Sequence, residues 1–248
     1  MSFRDYVDKL KRYFPFNKEE HGGFWVGVLV LSFIASFTKW GVERFDFSYG
    51  LMNWLLFIIV AGVVIFIHHA GQRMMALEVG FRAEQKIWWS GLFIGLVLAF
   101  VTNGHIRFLA CSGTIIHLLA AHRLGRFRYG PGVSTIAQVA IAGPIANVIF
   151  AGIIKALELW YVIPTTIAQP FVSFSIAFAG WNMLPIPPLD GSKVFYWSRL
   201  AYVFFFSAIA SYAIMAYFFN YYSLLWAVII GALCWLVFLI FFERVWST

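Results

Sequence analysis

The chain has 248 residues, 62% hydrophobic and only 12% charged, with a formal net charge of +7. A soluble domain carries about 25% charged residues, so this composition excludes an ordinary water-soluble enzyme and points to the lipid bilayer. Two cysteines, Cys111 and Cys234, leave no room for a disulfide framework or a C-x-x-C site, and are read as structural. The N-terminal stretch Met1–Gly22 is polar, and the apolar run after it lacks a small-residue cleavage site, so it reads as a retained anchor. Membrane crossings, which need about 20 mostly apolar residues each, are predicted at Gly23–Phe37, Leu51–Ile67, Ile136–Leu159, Phe171–Leu184, Ala201–Phe219 and Ser223–Phe242. Trp89–Val101 is too short to cross comfortably and predicts a re-entrant or interfacial element. The expected class is an all-α polytopic membrane protein with about six transmembrane helices. Its expected parts are a basic segment at 1–22, a span and loop at 23–50, a membrane core at 51–195 and two spans at 196–248.

Charge placement orients these spans. With the N-terminus in the cytoplasm and the short run not crossing, every Lys and Arg of the 18 falls on the cytoplasmic side except Lys39, Arg44 and Lys155. The positive-inside rule then predicts a multi-pass protein of the cell membrane with both termini cytoplasmic. A basic face against anionic lipid also accounts for the net charge without nucleic acid.

This topology brings two acid–base residues to the same side at similar depth. His68 ends the second span in Val63-Val64-Ile65-Phe66-Ile67-His68-His69-Ala70-Gly71-Gln72. Asp190 follows the fourth in Asn182-Met183-Leu184-Pro185-Ile186-Pro187-Pro188-Leu189-Asp190-Gly191. Ionisable groups at membrane depth cost about 2.5–3.5 kcal/mol each on insertion scales, so they mark function by default. In a helical H-E-x-x-H motif, two His four apart share a face and bind zinc, and the Glu acts as general base. Here the first His is His68, but His69 stands at the Glu position and Gln72 at the second His. A retained metal, pairing with His68 or His69, or protonation of Asp190 are three ways to hold that carboxyl. His105, His117 and His122 offer an alternative metal set, against an interfacial role.

Pro185, Pro187 and Pro188 exclude helix and predict an extended, irregular stretch before Asp190. Its backbone groups would receive an unwound peptide by strand addition, unless the stretch is only a helix-ending turn. Gly143-Pro144 predicts a kink or a close helix contact, and Gly191 a turn needing backbone freedom.

Taken together, these pieces resemble the site-2 protease family of intramembrane zinc metalloproteases, in its compact prokaryotic branch. The likeness covers roughly Leu51 to Phe195 and follows the family's order. After the His68 helix come Val79-Gly80-Phe81-Arg82-Ala83-Glu84 and Leu109-Ala110-Cys111-Ser112-Gly113. Then come Ala140-Ile141-Ala142-Gly143-Pro144-Ile145-Ala146-Asn147 and the Asp190 motif. The resemblance implies a three-helix core, with His68, Gln72 and Asp190 at the metal positions and His69 at the catalytic one. It implies Asn147, Asn182, Pro185, Pro187 and Pro188 near substrate. Zinc is the implied cofactor. The departures fall on the chemistry: an amide is a poor substitute for imidazole, and a missing general base removes a further 10²- to 10⁴-fold in rate.

Three functions follow. The first is a proteolytically degenerate homologue that binds transmembrane or juxtamembrane segments of client proteins. The second is an active zinc endopeptidase with an atypical site. The third is a transporter or lipid-handling protein reusing the fold, which the lack of an evident internal repeat weakens.

Overall fold

The computed structural model describes residues 3–41, 45–119, 131–218 and 223–243. Arg44, His122, Arg123, Arg126, Arg128 and Arg244, used above for topology and for the alternative metal set, lie outside them. Nine α-helices and two strands are seen among the described residues: α1 Phe3–Tyr13, α2 Lys18–Ser36, α3 Phe47–Glu78, β1 Phe81–Ile87, α4 Trp89–Val101, β2 Ser112–Leu118, α5 Val133–Leu159, α6 Thr165–Asn182, α7 Asp190–Trp197, α8 Arg199–Phe218 and α9 Ser223–Phe238. A short π-helical turn, Leu239–Glu243, continues α9. The protein is an all-α polytopic membrane protein with one small sheet.

Five described helices are long and apolar enough to cross a bilayer: Lys18–Lys39, Phe47–Glu78, Val133–Leu159, Arg199–Ala216 and Ser223–Phe242. The crossing expected at Phe171–Leu184 falls on α6, which is not among them. Thr165, Thr166, Gln169, Ser173, Ser175 and Asn182 dilute its apolar content, and it packs against α5, α8 and α3. α3 runs well past its apolar core to Glu78, so His68, His69 and Gln72 all sit within one continuous helix. Asp46 starts it by accepting the Tyr49 N–H at 3.0 Å, which satisfies one of the unpaired first-turn donors. Its apolar face packs with α2, α4 and α6 through Val28, Leu31, Val60, Val64, Leu92, Phe174 and Phe178.

The sheet was not expected from the sequence. β1 and β2 pair antiparallel, from Phe81 opposite Leu118 to Ile87 opposite Ser112. The Trp88 N–H donates to the Cys111 carbonyl at 2.8 Å, closing the base of the excursion that carries α4. α4 is the expected short element. It buries Leu92, Gly95 and Ala99 against the core instead of spanning.

The proline stretch is irregular but compact rather than extended. The Leu184 N–H donates to the Trp181 carbonyl, the Leu189 N–H donates to the Ile186 carbonyl, and the Pro187–Pro188 bond is cis. Three prolines carry no N–H, so this run has few groups left for strand addition. Pro144 lies inside an unbroken α5; the close-contact reading of Gly143 is the one the structure bears out. Gly191 is helical, not a turn residue of unusual φ. A Cβ there would lie 2.0 Å from the Met183 carbonyl oxygen, so glycine is needed for close backbone approach.

Candidate functional site

α3, α5 and α7 meet where α3 and α5 lack side chains. A Cβ on Gly71 would lie 2.8 Å from the Ala142 carbonyl oxygen, and one on Gly143 would lie 2.5 Å from His68 Nε2. The His68 imidazole therefore lies flat against α5, with Phe178 edge-on at 5.0 Å. Asp190 opens α7, where the helix dipole favours a carboxylate.

The three positions read from sequence as a metal set come together. Asp190 Oδ2 lies 3.0 Å from His68 Nε2 and accepts the Gln72 amide N–H at 2.8 Å, while Oδ1 accepts Lys193 Nζ at 3.2 Å. All three are buried. Burial pushes the Asp190 carboxyl upward, but the Lys193 charge and the His68 contact outweigh it and hold the group below the usual carboxylate range. Asn147, also of α5, reaches the other ring nitrogen, its Nδ2 lying 3.2 Å from His68 Nδ1. With that amide donating, Nδ1 is the acceptor and Nε2–H donates to Asp190. Asn182 does not join. Its amide donates to the Phe178 carbonyl of its own helix at 2.8 Å. Pro188 touches the region from the other side, since a Cβ on Gly113 of β2 would lie 2.7 Å from it. Pro185 and Pro187 shape the turn.

His69 faces elsewhere. Its Nε2 lies 3.1 Å from Ser112 Oγ on β2, and its ring sits among Phe16 and Phe24. Adjacent residues on a helix point about 100° apart, so His69 cannot share the Asp190 face with His68. His105 contacts the Thr102 carbonyl and His117 pairs with Glu84 at 3.3 Å, so these two do not form a common site.

Four contributors escaped the sequence reading. Gln85 of β1 and Thr114 of β2 both donate to Gln72 Oε1, at 2.6 and 2.7 Å. Lys193 neutralises Asp190, and the Glu20–Arg73 ion pair buttresses the next turn of α3. The Asp-x-x-Lys spacing and the Thr-Ile-Ile run of β2 were the only signals for them.

These contacts decide how well the residues suit zinc. A catalytic zinc site usually has three protein donors and one open position. His68 and Asp190 offer two. Gln72 turns its nitrogen toward Asp190, and its oxygen is taken by Gln85 and Thr114. A flipped amide would set oxygen against carboxylate at the same short range. No three His, Cys, Asp or Glu side chains gather into a metal-holding group among the described residues. The donor set does not fit a three-ligand zinc site; it fits a closed hydrogen-bonded network.

Comparison with known proteins gives one informative likeness. The chain is 28% identical over 191 residues to a protein of Methanocaldococcus jannaschii named a "putative zinc metalloprotease", covering 75% of this chain and 87% of that one. The likeness is to a metalloprotease. No family model matches, and no solved structure matches. With its membrane-length helices, the chain is a membrane metalloprotease-like protein.

Proposed function

We propose that this is a site-2 protease-like membrane protein that has lost its hydrolytic chemistry and binds transmembrane or juxtamembrane segments of client proteins. The observation that carries the reading is the Gln72 amide, held nitrogen-first on Asp190 by Gln85 and Thr114. His69, at the position a Glu general base would hold, faces Ser112 and not the cluster. Each loss alone is severe, and together they multiply. What remains is a buried hydrogen-bonded polar centre joining α3, α5, α7 and the sheet. Beside it, β2 pairs with β1 along one edge, and an extended client segment would add along the other.

The name of the M. jannaschii relative favours a second reading, an active zinc endopeptidase with an atypical site. Zinc content separates the two. The first reading expects the purified parent to hold well under about a tenth of an ion per chain. It expects the double variant His69→Glu with Gln72→His to approach about one ion per chain. Near-stoichiometric zinc in the parent that disappears in Asp190→Ala would reject it in favour of the second.

A further inference from the structure

One buried cation is not used by the Asp190 cluster. Arg73, the residue after Gln72, is 1% exposed. One arm of its guanidinium pairs with Glu20. The other donates to two consecutive main-chain carbonyls, Phe14 at 2.6 Å and Pro15 at 3.2 Å. The plane of the group lies over the Phe16 ring at 4.1 Å. That ring in turn packs on Phe24, Phe66 and His69, at 5.9, 6.1 and 6.4 Å.

We infer that this recess beside His69 is a docking site for a bent Xaa-Pro-aromatic peptide segment, which residues 14–17 of this chain fill in cis. The contacts are of a transferable kind. Two carbonyls, the Phe16 ring and the Phe14 ring edge-on to Phe66 at 6.5 Å are what Arg73 and the phenylalanines recognise, and any chain of that chemistry supplies them. Proline at the middle position keeps the segment out of helix and lowers the entropy lost on docking, as in other proline-rich ligands on aromatic grooves. The recess also reports to the centre. Glu20 accepts the Gln85 N–H at 2.9 Å, Gln85 holds Gln72, and Gln72 holds Asp190. The inference rests on the client-binding part of the proposed function and is independent of its metal part.

The test uses the full-length chain in detergent with Phe14, Pro15 and Phe16 all changed to Ser, which empties the recess. The probe is a fluorescent synthetic peptide with the sequence of residues 3–17. The emptied variant should bind it at least about tenfold more tightly than the parent, and adding Arg73→Gln should abolish the gain. A folded emptied variant that does not bind, or that binds a scrambled peptide equally, overturns the inference. If the emptied variant does not fold, hydrogen exchange on the parent decides. Amides of 14–17 that exchange well before those of α2 support a separable occupant; exchange only together with α2 overturns it. Zinc content plays no part in these readouts, so failure here and failure of the degenerate-site reading are distinguishable.

Discussion

The Asp190 cluster and the α8–α9 pair are built from equally apolar surroundings yet are held together in opposite ways. α8 and α9 meet through small residues: a Cβ on Gly231 would lie 2.8 Å from Ala208 Cβ, and Ser211 Oγ donates to the Ala227 carbonyl at 3.2 Å. Much of α9's outer surface, including Leu225, Trp226 and Leu233, is exposed. Such a contact gains from close van der Waals approach, as lipid offers no hydrophobic drive between helices. The Asp190 cluster instead gathers a carboxylate, an imidazole, an ammonium and three amides, each hydrogen-bonded to another member, with only the Asn147 Oδ1 left unpaired among their buried side-chain atoms. A half-satisfied network of this kind is worse than an apolar one. The contrast teaches that damage at α8–α9 is graded, whereas damage at Asp190 is steep.

The steepest effect is expected from Asp190→Ala. It strands His68, Gln72 and Lys193 together, so thermal unfolding in detergent should report a loss of about 3–5 kcal/mol. The same carboxylate has a pH signature. Its folded value is lowered, so its contribution is complete above the ordinary carboxylate value of about 4 and fades as pH falls through the lower folded value. The stability difference between parent and Asp190→Asn should therefore narrow only on the acid side. A difference unchanged down to about pH 2 would mean that folding does not lower the Asp190 value.

At α8–α9, Gly231→Ala overfills the contact and should cost about 1–3 kcal/mol, without altering the Asp190 pH signature. A loss as large as that of Asp190→Ala would erase the contrast. The smallest effect belongs to Asn182→Ala, about 1 kcal/mol or less, since that amide only returns to the Phe178 carbonyl of its own helix. A loss of several kcal/mol would place Asn182 in the working cluster after all.

Much of this arrangement was legible in the chain. The meeting of His68 and Asp190 followed from span direction, and their convergence with Gln72 from its i+4 position on one helix face. The short helix at Trp89–Val101 followed from the length of its apolar run. The sheet was not legible. Phe-Arg-Ala-Glu-Gln-Lys-Ile is poor in strand formers, and its conformation is imposed by pairing with the Thr-Ile-Ile run of β2. With the sheet went Gln85 and Thr114, whose roles are long-range contacts that no local pattern encodes. Gly191 was misjudged for a related reason. Its need for glycine comes from the Met183 carbonyl eight residues back, not from its own φ.

The paired glycines Gly71 and Gly143 carry a mechanical consequence. At Gly71 the backbone of α3 meets that of α5 with no side chain between them, and at Gly143 the His68 ring is wedged against α5, so sliding of one helix along the other is resisted. The α3 wall of the His69 recess, which carries Phe66, His69 and Arg73, is braced from behind by that contact. Any release of residues 14–16 would then leave Arg73 and its aromatic neighbours standing in place on α2 and α3.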